Sequence, residues 1–161
     1  IAGQGTTALE LLTDYPDLDM LLTPIGGGGL MSGCSIAAKA MKPNIKVIGT
    51  EPELADDAYR SFKAGTLQPV LSTATIADGL RTSLGDLPFR IIQQNVDDIV
   101  TVSEKSIIEA MRFIWERMKI IIEPSCAVPV AAVFEGKVDV TNKKVGIVIT
   151  GGNVDLGNLP W

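Results

Sequence analysis

Four short runs rich in branched apolar residues recur along the chain, at 18–25, 46–50, 98–102 and 144–150, with helix-patterned stretches between them. Short apolar runs bounded by turn residues form strands, whereas apolar positions three and four apart line one side of a helix. The stretch after Ser103 shows the second pattern: Ile107, Ile108, Met111, Ile114, Trp115 and Met118 share one face, and Ser103 can cap it. Further helices are expected over 6–12, 30–41, 54–64 and 127–134, the later ones stopped by Pro43, Gly65 and Gly136. Strands alternating with helices predict an α/β domain with a mostly parallel sheet and helices on both faces. Ligands of such sheets bind beyond the carboxyl ends of the strands. The residues that follow each strand are therefore where chemistry should lie. Residues 68–90, rich in Thr, Gly and Pro, read as a long loop over that edge.

Composition narrows the chemistry. The 161 residues include no histidine, which removes Ser-His-Asp triads, Cys-His pairs and imidazole-based zinc sites. Acid–base work must come from carboxylates, lysines, hydroxyls or a cofactor. A net charge of −5 and only 5% aromatic residues argue against nucleic acid as a partner. Two cysteines, Cys34 and Cys126, fit a reducing compartment. No signal-peptide pattern and no apolar run near membrane-spanning length is present. A cytoplasmic protein with no membrane partner is expected. The start at Ile1 suggests a piece of a longer polypeptide.

The first strand runs into Gly26, Gly27, Gly28 and Gly29, and a helix follows. Without β-carbons, such a backbone can wrap an anion and add its N–H groups to those of the helix N-terminus. A phosphate is the expected guest, although a tight strand-to-helix turn is the plainer use. No Lys-Ser or Lys-Thr follows, so this is not a nucleoside-triphosphate loop. Gly3, Gly5 and Ala8 match the dinucleotide fingerprint G-x-G-x-x-A but lack an upstream strand, and a glycine-rich helix start is preferred. The last strand ends in Thr150-Gly151-Gly152-Asn153, which sets a hydroxyl beside a site that a ligand can approach. Glu123 closes the apolar run 120–122; it is either a buried carboxylate facing a ligand or a partly solvated cap of the next helix. After the second strand, Glu51 and Asp57 with a carbonyl between them could offer hard oxygen ligands to Mg²⁺ or Ca²⁺. From spacing alone, an acidic first turn complementing a helix dipole is favoured there.

Taken in order, Gly3-Gln4-Gly5-Thr6, the four glycines, the acidic stretch 51–57, Ile76-Ala77-Asp78-Gly79, Trp115-Glu116-Arg117-Met118-Lys119, Glu123-Pro124-Ser125 and Gly151-Gly152-Asn153-Val154-Asp155-Leu156 resemble the serine racemases and their relatives, the serine/threonine dehydratases. These belong to the tryptophan-synthase-β-like, fold-type II enzymes that use pyridoxal 5'-phosphate (PLP). The resemblance implies that residues 1–161 are the C-terminal part of the large PLP-binding domain, with its N-terminal part and a small domain elsewhere. It implies that Gly26 to Gly29 with the Leu30 amide hold the cofactor phosphate and that Thr150 meets the pyridine nitrogen. A neutral hydroxyl in that role leaves the nitrogen largely unprotonated. Glu123 and Gly79 are then cavity-lining, and Cys126 departs from the small residue expected at its position.

By the same resemblance, Glu51, the carbonyl of Ala55 and Asp57 form a divalent-cation site for Mg²⁺ or Ca²⁺, which reverses the preference from spacing. It further implies ATP as an allosteric activator near Lys119, Asn153 and Asp19, and a homodimer. The implied reaction interconverts L- and D-serine, with competing elimination of water to pyruvate and ammonia. A threonine, serine or 3-hydroxyaspartate dehydratase and an aspartate racemase remain alternatives, as does a non-catalytic phosphate-binding module. The Schiff-base lysine and the opposing catalytic serine of this family sit in upstream motifs that no lysine or serine here matches, so no catalytic residue is expected in this chain and the chain alone is expected to be inactive.

Overall fold

In the computed structural model, which describes residues 1–161, all four strands form: β1 (Met20–Pro24), β2 (Lys46–Pro52), β3 (Asp98–Val102) and β4 (Val145–Ile147). They pair parallel throughout, in the order β3-β2-β1-β4. The helices are α1 (Gly5–Asp14), α2 (Gly29–Met41), α3 (Asp57–Ala64), α4 (Asp86–Asn95), α5 (Glu104–Met118) and α6 (Pro124–Phe134).

Strand alternation divides the core between the two sheet faces. Met20, Leu22 and Ile48 face α5 and α6, where Ile107, Met111, Ile114, Cys126 and Ala127 join them in one buried cluster. Leu21, Val47 and Ile99 face the other way, into a cluster with Ala8, Leu12, Met31, Cys34 and Ile92 from α1, α2 and α4. Burial of the Cys34 thiol pushes its pKa up to about 11, so this sulfur is core rather than chemistry.

Ser103 caps α5 by accepting from the Ser106 amide, and Gly65 ends α3 in the left-handed conformation, as the sequence predicts. Two expectations change. Residues 68–90 are not loop throughout: they include a short 3₁₀ turn at Asp78–Leu80 and the start of α4. Pro88 lies in the first turn of α4, where its missing N–H costs no helical bond. The last strand is also shorter than expected, ending at Ile147, so Thr150 stands free of the ladder. The G-x-G-x-x-A match serves packing: a β-carbon at Gly5 would lie 3.0 Å from the Gly33 carbonyl of α2.

Candidate active site

The glycine run turns the chain from the carboxyl end of β1 into α2. Gly28 is the pivot, with φ +83°, which side chains rarely adopt. A β-carbon there would lie 2.6 Å from Leu84 Cδ1 and 2.7 Å from Pro88 Cβ. Gly29 differs: a β-carbon would meet nothing within 4 Å, because that direction opens into a cavity. The amides of Gly26, Gly27 and Gly28 donate to no protein acceptor. Together with the unpaired first-turn amides of α2 they leave a ring of N–H donors with partial positive charge. A side chain at 29 would enter open space beside these amides.

The cavity, about 260 Å³, is lined by Gly26, Gly27, Gly28, Gly29 and Leu30 on one side and by Gly79, Glu123, Ser125 and Thr150 on the other. Residues from 26 to 150 thus converge because the ends of β1 and β4 and the start of α6 meet at one edge of the sheet. Glu123 occupies the N-cap position of α6 without a side-chain cap bond. Its Oε2 instead accepts from the Asn153 amide at 2.9 Å, and its own amide donates to the Gly151 carbonyl at 3.1 Å. Of the two readings open for this carboxylate, the helix cap is not the one realised. Ser125 lines the cavity without any mark in the sequence pattern beyond its place in the Glu-Pro-Ser run; its Oγ accepts from the Gly79 amide at 3.0 Å and fixes the turn beside the glycines.

The acidic corner at the carboxyl end of β2 lies beside this cavity. Glu51 and Asp57 are each 1% exposed and Ala55 2%. Glu51 accepts from the Ala58 and Tyr59 amides at 3.1 and 2.8 Å, and burial, against those two bonds, pushes its pKa up to about 8. Asp57 Oδ2 accepts from the Leu84 amide at 2.8 Å. The next residue, Gly85, donates to the Gly27 carbonyl at 3.3 Å. Residues 84–85 therefore strap the acidic corner to the glycine run. No cluster of three or more acidic or thiol side chains is placed to hold a metal. The corner offers two carboxylates and backbone oxygen.

Of the three residues matched to a nucleotide, Lys119 and Asn153 flank segments that pack together, a β-carbon at Gly152 lying 2.6 Å from the Ile121 carbonyl, whereas Asp19 is at the amino end of the strands. Lys119 terminates α5 at φ 61°, Asn153 follows β4, and Asp19 precedes β1 at the opposite sheet edge, where Oδ2 accepts from the Lys144 amide. No helix is long and apolar enough to cross a membrane.

The family model described as pyridoxal-phosphate dependent enzyme matches residues 1–151. A serine racemase of Dictyostelium discoideum is 52% identical over 99% of this chain and 50% of its own length. A beta-hydroxyaspartate dehydratase of Paracoccus denitrificans is 46% identical over 100% of the chain and 51% of its length. The crystal structure of the Dictyostelium discoideum serine racemase superposes with a TM-score of 0.90, covering 96% of this chain and 50% of that one. The chain spans about half the length of the curated relatives it matches.

Proposed function

Since the chain belongs to the pyridoxal-phosphate dependent enzymes, we propose that it forms the C-terminal part of the large cofactor-binding domain of a serine racemase. The whole enzyme interconverts L- and D-serine, with competing loss of water to pyruvate and ammonia. One observation carries this reading: Gly26 to Gly29, Leu30, Gly79, Glu123 and Thr150, spread over the chain, line one cavity. The site fits the cofactor, because unpaired amides and the open space at Gly29 suit a phosphate. When bound, the pyridine ring withdraws electrons from the substrate's α-carbon.

Each residue then has a task. The amides of 26–30 bind the phosphate, and the Thr150 hydroxyl meets the ring nitrogen. Glu123, tied to the Asn153 amide, holds the 151–153 turn against α6 and walls the cavity. The groups that move the α-proton belong to the other half of the enzyme. The intact protein should show a visible absorption band that borohydride removes, and should form D-serine from L-serine. Absence of the band overturns the reading. The similarity to a beta-hydroxyaspartate dehydratase favours one second reading, a 3-hydroxyaspartate dehydratase. Faster ammonia release from 3-hydroxyaspartate than from serine would select it.

The acidic corner belongs to the same proposal as a site for Mg²⁺ or Ca²⁺ on Glu51, Asp57 and the Ala55 carbonyl. Two neighbouring buried carboxyl groups whose side-chain bonds come only from backbone amides offer hard oxygen ligands, and a cation binding there would displace the proton that burial favours on Glu51. A cation at a hundredfold excess over Kd adds about 2.7 kcal/mol of stability. Glu51→Gln keeps one of the two oxygens that accept from the α3 amides and removes the carboxylate a cation would need. The variant should fold, and its melting temperature should no longer respond to Mg²⁺; an unchanged response excludes the site. ATP activation, a homodimer and a cytoplasmic location complete the proposal.

A further inference from the structure

Gly79 stands in the middle of the 3₁₀ turn Asp78–Leu80 and lines the cavity beside the glycine run. Side chains reach its backbone only at the amide, which donates to Ser125 Oγ and to Asp78 Oδ1, both at 3.0 Å. Asp78 is exposed, whereas Ser125 is 2% exposed in the first turn of α6, so the serine is the fixed anchor of the two. That close contact needs a glycine, because a β-carbon at 79 would lie 2.9 Å from Ser125 Oγ. The Leu80 amide donates to the Ala77 carbonyl at 2.9 Å. Across a trans peptide the N–H and C=O point in opposite directions, so this bond turns the Gly79 carbonyl away from Ala77. The Gly79 oxygen accepts from no backbone amide. It lies 3.3 Å from where a β-carbon of Gly26 would stand, and the glycine there leaves it uncovered.

We infer that Ser125 is a positioning residue that holds the Gly79 carbonyl in the cavity as the acceptor for the substrate's amino group. The inference rests on the proposed assignment of this cavity to PLP and an amino acid. The glycine amides are donors and suit the phosphate, whereas a carbonyl only accepts and is left for a donor on the ligand. Serine brings two such donors, its amino group and its hydroxyl. The amino group arrives as a cation, and a hydrogen bond to a charged group is roughly twice as strong as one between neutral groups. That difference assigns the carbonyl to the amine.

The test uses the full-length holoenzyme and two ligands: L-serine, read by its KM, and 3-hydroxypropanoate, read by its inhibition constant. The second keeps the carboxylate and hydroxyl of serine and lacks only the amine. Ser125→Ala removes the anchoring oxygen and should raise the KM about tenfold, the weight of one hydrogen bond to a charged group. The inhibition constant should stay at its wild-type value. Ser125→Thr keeps the oxygen and should keep the wild-type KM. An unmoved KM in Ser125→Ala overturns the inference, and so does a Ser125→Thr enzyme that behaves like Ser125→Ala. Equal rises for both ligands overturn it too, because the serine then supports the wall as a whole or the carbonyl takes the hydroxyl. Should Ser125→Ala fail to fold, Ser125→Cys, close in size and a weak acceptor, reads the same contrast. The visible band that borohydride removes keeps the two levels apart. Without it in the wild type, the cavity is not a PLP site and both readings fall; with it, an effect blind to the amine removes only the role of Ser125.

Discussion

Gly29→Asp is expected to fold normally and to lose PLP affinity by more than a hundredfold. Nothing in the protein opposes a β-carbon at 29, and an acidic residue in the first turn of a helix is favourable by about 0.3–1 kcal/mol. The melting temperature of the apo form should hold or rise slightly. The cofactor meets the opposite situation. The carboxylate enters the space that the phosphate needs and repels it, and it competes for the same amides. Hydrogen bonds to a charged group contribute about 1.5–3 kcal/mol each, so losing two costs about 3–6 kcal/mol, beyond the roughly 2.7 kcal/mol of a hundredfold change. Titration of the full-length apoenzyme with PLP, beside a melting curve, measures both. An unchanged affinity would show that the phosphate does not sit there.

The neighbouring glycine should behave in the opposite way. Gly28→Ala places a β-carbon at a left-handed position, costing about 1–2 kcal/mol, and drives it into Leu84 and Pro88 at 2.6 and 2.7 Å, costing about 1–3 kcal/mol more. The sum is a large fraction of a normal stability of about 5–15 kcal/mol. Denaturant melts of the full-length apoenzyme should show the loss without any cofactor present, and a variant as stable as the wild type would contradict this packing. Two adjacent glycines should thus separate by readout: a side chain at 28 is expected to cost stability, and one at 29 cofactor affinity.

Much of this was readable from residues alone. The glycine run announced itself because only a backbone that must turn sharply or touch a ligand spends four consecutive side chains. The sheet was legible because both its faces are covered, so each strand is a dense apolar run. Helix α4 was hidden by Gly85 and Pro88, which mark loops in composition but here open a helix. Glu123 stayed ambiguous because its partner, the Asn153 amide, is 30 residues away. The contact of Cys126 with Thr150 spans 24 positions and depends on how deeply α6 is set behind the end of β4. No local pattern carries that information.

The strap at residues 84–85 has a thermodynamic consequence. One end is held by Asp57 through the Leu84 amide, and the other by the Gly27 carbonyl through Gly85. Two ligands that each order the same short segment share the entropic cost of ordering it, so the first to bind relieves the second. Linkage makes the effect reciprocal: if a cation at the acidic corner raises anion affinity at the glycine run by some factor, the anion raises cation affinity by that same factor. If the proposed cation and phosphate both tighten this strap, the strand-to-helix corner and the glycine turn would form one cooperative unit, although no ligand atom need pass between them.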